Sequence, residues 1–526
     1  GAERDSLDDF APSLLNLSPN EVIAYFQNPY SETEARRLLG NATARYVYYL
    51  GEEQQATDTI FATHPPAAGA ILRERHVAQL PLNETSKLQV AFEYSDGTGT
   101  VLVKKAQAEP EENSTVLRWL ATGKTVLNNK GKAVKQYEPY FSQTEHRFDE
   151  TETEDNKGVT PIMYYDAAGR LIRTESPDGS FSRVEFSPWH VMSFDPNDTV
   201  RVSRWYHDRN VSDPKEPLPT DRLTGEITAT PDERAGWLTA LHANTPSETH
   251  LDSLGRQVVA VTHNRVEDAG GSFGHGGRSY RDEKYVTFTK LDAEGKPLWI
   301  RDANRNLVMQ YISPPKPTRW SEQANEEVPS TSVPCYDIAG SLLFQHSMDA
   351  DDRWMLNDAA GKPLYAWDLN ERREPDSATV MEDRLYNTKY DRLHRPTEQW
   401  LSINYGPPQM IERFTYGEGA ADGKQNNLRG QFREHVDQSG RKTVQAYDFK
   451  GNVLGVERQL ASNYRASIIG WQPDSPTAGL ESETFVQITE YDALNRMTRL
   501  FNWHRGNGSR VAVYQPTYTE RGLLTS

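Results

Sequence analysis

Apolar and polar residues alternate along most of this chain in short runs, the period of half-buried β-strands. In QVAFEY (89–94), Val90, Phe92 and Tyr94 fall on one face, and Gln89, Ala91 and Glu93 on the other. RYVYYL (45–50) is a similar run, and SDGTG (95–99) is a hairpin turn leading into TVLVKK. Helical signals are confined to three places. Ser18 to Glu21 has the S-x-x-E form of a capping box before VIAYF, and Ser31 to Glu34 repeats it before ARRLLG, with Gly40 placed to end that helix. Pro231-Asp232-Glu233 opens a third helix over RAGWLTALHAN (234–244). Elsewhere, short apolar and aromatic runs are punctuated by Gly, Asp, Asn and Pro.

The punctuation repeats. YYDAAGR (164–170) returns as LDSLGR (251–256), LDAEGK (291–296), YDIAGS (336–341) and NDAAGK (357–362). It then recurs as YDRLHR (390–395), VDQSGR (436–441), YDFKGN (447–452) and YDALNR (491–496). The shared form is an aromatic or apolar residue, Asp, two variable residues, Gly or Asn, and often a base. An Asp opening a turn accepts nearby backbone N–H groups, and a Gly three residues later takes positive φ, which closes a type I turn with a bulge between antiparallel strands. Asp166, Asp252, Asp292, Asp337, Asp358, Asp391, Asp437, Asp448 and Asp492 are therefore expected to nucleate turns. Gly169, Gly255, Gly295, Gly340, Gly361, Gly440 and Gly451 are expected to close them, and Tyr165, Tyr336, Tyr390, Tyr447 and Tyr491 to pack on neighbouring strands. One catalytic centre does not need nine copies of one Asp; repeated hairpins need them. The spacing is uneven, from 45 residues between Asp292 and Asp337 to 11 between Asp437 and Asp448, which fits a ribbon of varying strand length.

Composition narrows the function classes. A net charge of −17 opposes binding to a phosphate backbone, so no nucleic-acid partner is expected. No apolar run approaches the roughly 18–20 residues of a membrane span, so no direct membrane insertion is expected. The single cysteine, Cys335, excludes an intrachain disulfide framework and a cysteine-rich zinc site; after Pro334 it reads as a strand-end hydrophobe. Asp349, Asp351 and Asp352 lack the remainder of a calcium loop, the histidines have no metal-ligand spacing, and no G-x-S-x-G is present. The glycine-rich stretch 267–279 lacks the P-loop pattern and reads as a connector, as do 148–158 and 210–221. No catalytic, cofactor-binding or metal residue is assigned, and no enzyme activity is expected.

With these turns, the chain resembles the YD-repeat, or RHS (rearrangement hot spot), family, and in particular the B component of Tc (toxin complex) insecticidal toxins. VAFEYSDGTGTVLVKKAQAEP (90–110), TGKTVLNNKGKAVKQYEPYFS (122–142), SFDPNDTV (193–200), HANTPSETHLDSLGR (242–256), HSMDADDRWMLNDAAGKPLYAWD (346–368) and YTERGLL (518–524) carry the likeness in order. The resemblance implies a mostly β fold: a long antiparallel ribbon of hairpins spiralling into a hollow shell, with a few short helices. It implies a helical segment at 1–50, a β-rich middle region at 51–160 and the repeat shell at 161–526, incomplete at its end. It further implies a structural role in enclosing a cleaved cytotoxic effector within a secreted complex made in the cytoplasm. The expected partners are the toxin C component and, through a propeller outside this chain, the pore-forming A component. The family's D-P-x-G-x-x-G closing segment has no counterpart, so its self-cleaving aspartates have no positions here. The alternative is a cell-surface YD-repeat adhesin that binds carbohydrate.

Overall fold

In a computed structural model, residues 16–525 are described except 56–57, 62–63, 154–157, 210, 212–217, 219–223, 225, 268–279, 320–330, 373–379, 472–473, 475–478 and 506–510. Much of the three expected connectors therefore lies outside the described residues.

The two N-terminal helices form where their caps place them. Ser18 caps α1 (Pro19–Gln27), its hydroxyl accepting from Glu21 N–H while the Glu21 carboxylate accepts from Ser18 N–H at 2.9 Å. Ser31 caps α2 (Glu32–Leu39), and Gly40 ends it at φ 55°. Both helices lie on an antiparallel sheet ordered Ala44–Tyr49, Ala67–Arg73, Leu88–Ser95, Val101–Ala108, Arg118–Thr122 and Tyr140–Phe141. Leu88, Val90, Phe92 and Tyr94 alternate inwards as the sequence predicts, and pack with Tyr25, Phe26, Leu38, Leu39, Ile71 and Trp119. A Cβ at Gly69 would come within 3.1 Å of the Tyr25 ring, so the helix approaches the sheet across a missing side chain.

Two buried polar devices secure this core. Lys105 and Glu152, 1% and 2% exposed, pair at 2.9 Å. Lys105 also donates to Ser142 and Thr144, and Glu152 accepts from Gln143 N–H. Burial pushes the Lys105 ammonium below its usual range. Burial also pushes Glu152 upwards, but hydrogen bonds from Ser142 and Lys105 outweigh it and hold the carboxyl at about 2. His146 is fully buried; its Nε2–H donates to the Tyr25 carbonyl at 3.2 Å, while Nδ1 has no partner. That arrangement suits a neutral ring, and burial lowers its pKa to about 4.

Apart from two small hairpin sheets, Glu53–Gln55 with Asp58–Ile60 and Ile312–Ser313 with Val333–Pro334, the remaining described strands form one antiparallel ribbon running from Thr125–Leu127 to Ala512–Tyr514. It starts well before residue 161, and the sheet beneath the helices runs from 44 to 141, so the expected divisions at 50 and 160 do not coincide with where the sheets part. No ladder among the described residues joins the last strand to the first. The loop after Ala67–Arg73 instead meets the late turns: Ala493 N–H donates to the Glu74 carbonyl at 2.9 Å, Arg496 pairs with Glu74 at 3.2 Å, and His76 packs edge-on to Phe449. Arg521 pairs with Glu109 at 3.1 Å. The N-terminal module thus clasps the end of the ribbon.

Most ribbon side chains are only half-buried on both faces, as in Pro396–Ile403 and Phe485–Tyr491. Local covers exist. Two further helices, α3 (Arg204–His207) and α4 (Pro231–Ala240), belong to an insertion whose small core is Val200, Ala240 and Ala243. The α4 cap is a Thr230–Glu233 box, and its helix ends at Ala240 rather than Asn244. A second insertion places Trp471 over Met410 and Val436.

Two outcomes follow. Glu152→Gln is expected to cost roughly 3–5 kcal/mol by leaving Lys105 buried and unpaired, whereas Lys105→Met with Glu152→Leu costs less than that single change; denaturant titration of all three chains checks this. Acid acts in two windows. His146 has a folded pKa below its ordinary 6.5, so the unfolded chain binds the proton first and stability falls from pH 6.5 to about 4. Glu152 contributes stability above pH 4.5 that is lost as the pH falls towards about 2. Denaturation midpoints measured across pH 7 to 3 are expected to lose the first window in His146→Gln and keep the second.

Candidate functional site

The recurrent turn is the feature the chain builds most often. At Asp166 the backbone N–H donates to the Arg170 carbonyl at 3.0 Å, and Gly169 N–H donates back to the Asp166 carbonyl at 3.0 Å. The Asp166 Oδ1 accepts Arg170 N–H at 2.9 Å, while Oδ2 meets the guanidinium at 2.7 Å. The backbone pair and the Oδ1 bond recur at Asp252, Asp292, Asp337, Asp358, Asp391, Asp448 and Asp492, and the guanidinium bond to Oδ2 recurs at Asp252, Asp391 and Asp492. The closing residue takes positive φ at Gly169, Gly255, Gly295, Gly340, Gly361 and Gly451, and at His394 and Asn495 where Gly is replaced.

Backbone N–H donors, first among other causes, hold the carboxyls of Asp166, Asp252, Asp337, Asp358 and Asp391 below the usual range. A general acid or base needs a pKa near the working pH and a free lone pair or proton. These carboxyls are held away from that range, and Oδ1 of each is occupied in organising the turn.

VDQSGR departs from the set. Asp437 pairs directly with Gly440 across a two-residue loop, and Asp437 accepts Ser439 N–H at 2.7 Å. Gly440 has φ 130° and lies in a strand, where a Cβ would sit 2.1 Å from the Gln459 carbonyl. Its glycine serves a close strand approach instead of closing the six-residue turn. Conversely, Asn128–Lys132, Ser176–Ser180, Asp302–Asn306 and Thr519–Leu523 make the same backbone pattern without having been expected. Asp302 and Asn128 present the nucleating side chain, which was the available signal; Arg305 at φ 67° concealed the first.

The tyrosines do more than pack. Tyr336 Oη donates to the Pro297 carbonyl at 2.6 Å, Tyr390 to Pro363 at 2.7 Å, Tyr447 to Phe432 at 2.6 Å and Tyr165 to Ala133 at 2.8 Å. For Tyr336, Tyr390 and Tyr165 the acceptor directly follows the previous turn on that rim. Tyr416 to Pro396 and Tyr518 to Met497 follow the same rule. At four turns the closing base reaches the other way. Lys296 lies over the Tyr336 ring, Lys362 over Tyr390, Arg395 over Tyr416 at 3.9 Å and Arg496 over Tyr518 at 4.3 Å. Lys130, Lys362 and Lys450 also donate to carbonyls of the next turn, those of Ala167, His394 and Ala493. The turn at Asp391 carries both stitches, a phenol backwards and a cation forwards, and most other turns carry one or the other. Tyr491 instead lines a hollow of about 910 Å³ with His76, Phe449 and Asp492, where the module meets the ribbon.

Cys335 is buried among strand ends; burial raises its thiol pKa, away from the thiolate a nucleophile needs. Asp352 is bonded to His346 at 2.7 Å, and no cluster of three metal-ligating side chains occurs among the described residues. No helix among them is long and apolar enough to cross a membrane.

No protein-family model matches the chain. It is 24% identical over 280 residues to toxin subunit YenC2 of Yersinia entomophaga, a stretch covering 52% of this chain and 26% of that protein. The crystal structure of TcdB2-TccC3 superposes on 97% of this chain and 23% of its own, with a TM-score of 0.64 and 18% identity. A Photorhabdus luminescens Tc holotoxin pore structure matches 88% of this chain and 20% of its own, at TM-score 0.62 and 18% identity. The chain spans about a quarter of these relatives, and over that stretch its fold is theirs: a large antiparallel β-wall.

Asp166→Ala is expected to cost about 0.5–2 kcal/mol, by analogy with loss of a helix cap. Tyr390→Phe is expected to cost about 1 kcal/mol through its lost hydrogen bond, and Tyr390→Ala more because Lys362 also loses its ring. Denaturation with a strand-register probe, such as hydrogen exchange at 363–403, is expected to place both effects locally.

Proposed function

We propose that this chain is part of the wall of a Tc-type toxin shell, which encloses a polypeptide effector and is not itself catalytic. The observation that carries this reading is the exposure of both faces of a long, chain-ordered sheet. A globular β-domain covers one face with a second layer. Here half-buried side chains occur on both faces of strand after strand, and among the described residues small insertions cover them locally. A sheet built this way separates two spaces. Its backbone groups are satisfied between neighbouring strands, so it presents few edges at which an unfolded cargo would pair.

Confinement is the mechanism. A cleaved effector held behind such a wall is kept from proteases and from the producing cell until release. The turn stitching keeps adjacent hairpins from parting, and the N-terminal module clasps the ribbon's late turns. On this reading the remaining wall and the cargo come from a C-type component, a pore-forming component receives the assembly, and the complex acts outside the cell that makes it. The likeness to YenC2 and to TcdB2-TccC3 supports the assignment.

Limited proteolysis of the assembled shell tests it. The effector is expected to survive while the shell is intact and to be digested after the shell is opened by denaturant. Equal digestion in both states would rule the wall reading out. Weakening the clasp by Glu74→Ala is expected to shorten the cargo's lifetime without altering any catalytic rate.

A further inference from the structure

Away from the turns, one face of the ribbon carries a hollow of about 460 Å³ lined by Asp352, Trp354, Trp367, Leu369, Asp383 and Tyr405, together with Asp368. Register places these side chains together. Phe344 opposes Trp354, Trp354 opposes Trp367, and Leu369 opposes Asp383 on three successive pairings. The indoles form an aromatic floor: Phe344 and Trp354 lie 4.4 Å apart, and Tyr365 stacks on Trp367 at 5.6 Å. Trp354 remains 41% exposed.

The rim is built at a cost. Asn404 and Tyr405 occupy consecutive left-handed positions, φ 48° and 60°, in the loop after Pro396–Ile403. Asn suits such a position, but Gly normally fills the second, and a tyrosine there stores strain. The loop is clamped to the neighbouring strand: Asn404 N–H donates to the Asp383 carbonyl at 2.8 Å, and Asp383 N–H donates to Asn404 Oδ1 at 2.8 Å. Tyr405 consequently stands 92% exposed at the mouth, its phenol against the Asp383 carboxylate, which holds its pKa above the usual tyrosine value. No turn or strand pairing requires this aromatic.

We infer that the hollow is a binding site for the guanidinium of an arginine side chain in an extended polypeptide. The lining combines flat aromatic faces with carboxylates and includes no Lys or Arg; Asp352 also holds His346 at 2.7 Å, just outside the hollow. A planar, weakly hydrated cation gains on both counts, stacking on indole while its N–H groups meet Asp352 and Asp383. A neutral sugar would use the aromatic floor but gain nothing from the charge of the Asp383 carboxylate beside it. The site does not depend on what the wall encloses, so its failure leaves the wall reading standing.

The test is a fluorescence titration of the full chain with three capped peptides of one sequence, carrying arginine, lysine or citrulline at the centre, and with maltotriose. Citrulline keeps arginine's shape and removes its charge. Saturable quenching by the arginine peptide is expected, with the citrulline peptide at least about tenfold weaker. Asp383→Asn is expected to weaken binding severalfold. Tyr405→Gly is expected to weaken it while leaving the melting temperature equal or higher, because glycine relieves the left-handed strain. Near-UV circular dichroism checks that each variant is folded. Equal affinity for citrulline or lysine, preference for maltotriose, affinity unchanged in both variants, or no saturation by about 10 mM peptide would overturn the inference.

Discussion

The ribbon depends on how one turn holds the next. A strand ladder fixes neighbours along their length, yet a sheet exposed on both faces lacks the packed second layer that normally resists shear and fraying. The repeat supplies that resistance at its rim. An Asp carboxylate sets the turn, the preceding tyrosine donates to the backbone just past an earlier turn, and the closing base covers the ring of a later one. Each bond is worth about 1 kcal/mol, but the same geometry returns along the ribbon. Loss of one stitch is therefore a local defect in a series of supports.

The N-terminal module works by opposite means. It has a dense aromatic core, a fully buried histidine and a buried Lys105–Glu152 pair. Such a unit is intolerant of unpaired charge, and the shifted His146 and Glu152 tie its stability to pH. Its loop at Glu74–His76 grips the turns at Phe449 and Ala493–Arg496. A rigid block thereby fixes the separation between early and late strands, a distance that no strand pairing among the described residues sets.

Much of this was legible in the linear chain because its causes are local. The caps at Ser18, Ser31 and Gly40 and the alternation of Val90, Phe92 and Tyr94 need only a few consecutive residues. The turns at Asp166 and seven of its counterparts are equally local, since donor, acceptor and positive φ lie within five positions. VDQSGR has the same letters, but Gly440 is claimed by a close approach to Gln459, a strand far from it in the local pattern. The turn at Asp302 went unread because Arg305 adopts a conformation that glycine usually takes.

The sequence by itself determined a mostly β chain, the places where it turns, and the absence of a motif for chemistry. Only the tertiary structure decided what the repeated tyrosines and bases touch, that six of the strands between 44 and 141 form a separate sheet, and that Trp354, Trp367, Asp383 and Tyr405 share one hollow. Turn nucleation is a short-range competition among backbone hydrogen bonds, settled within one motif. Stitches, clasp and hollow join residues tens to hundreds of positions apart, and register across several strands fixes which of them meet.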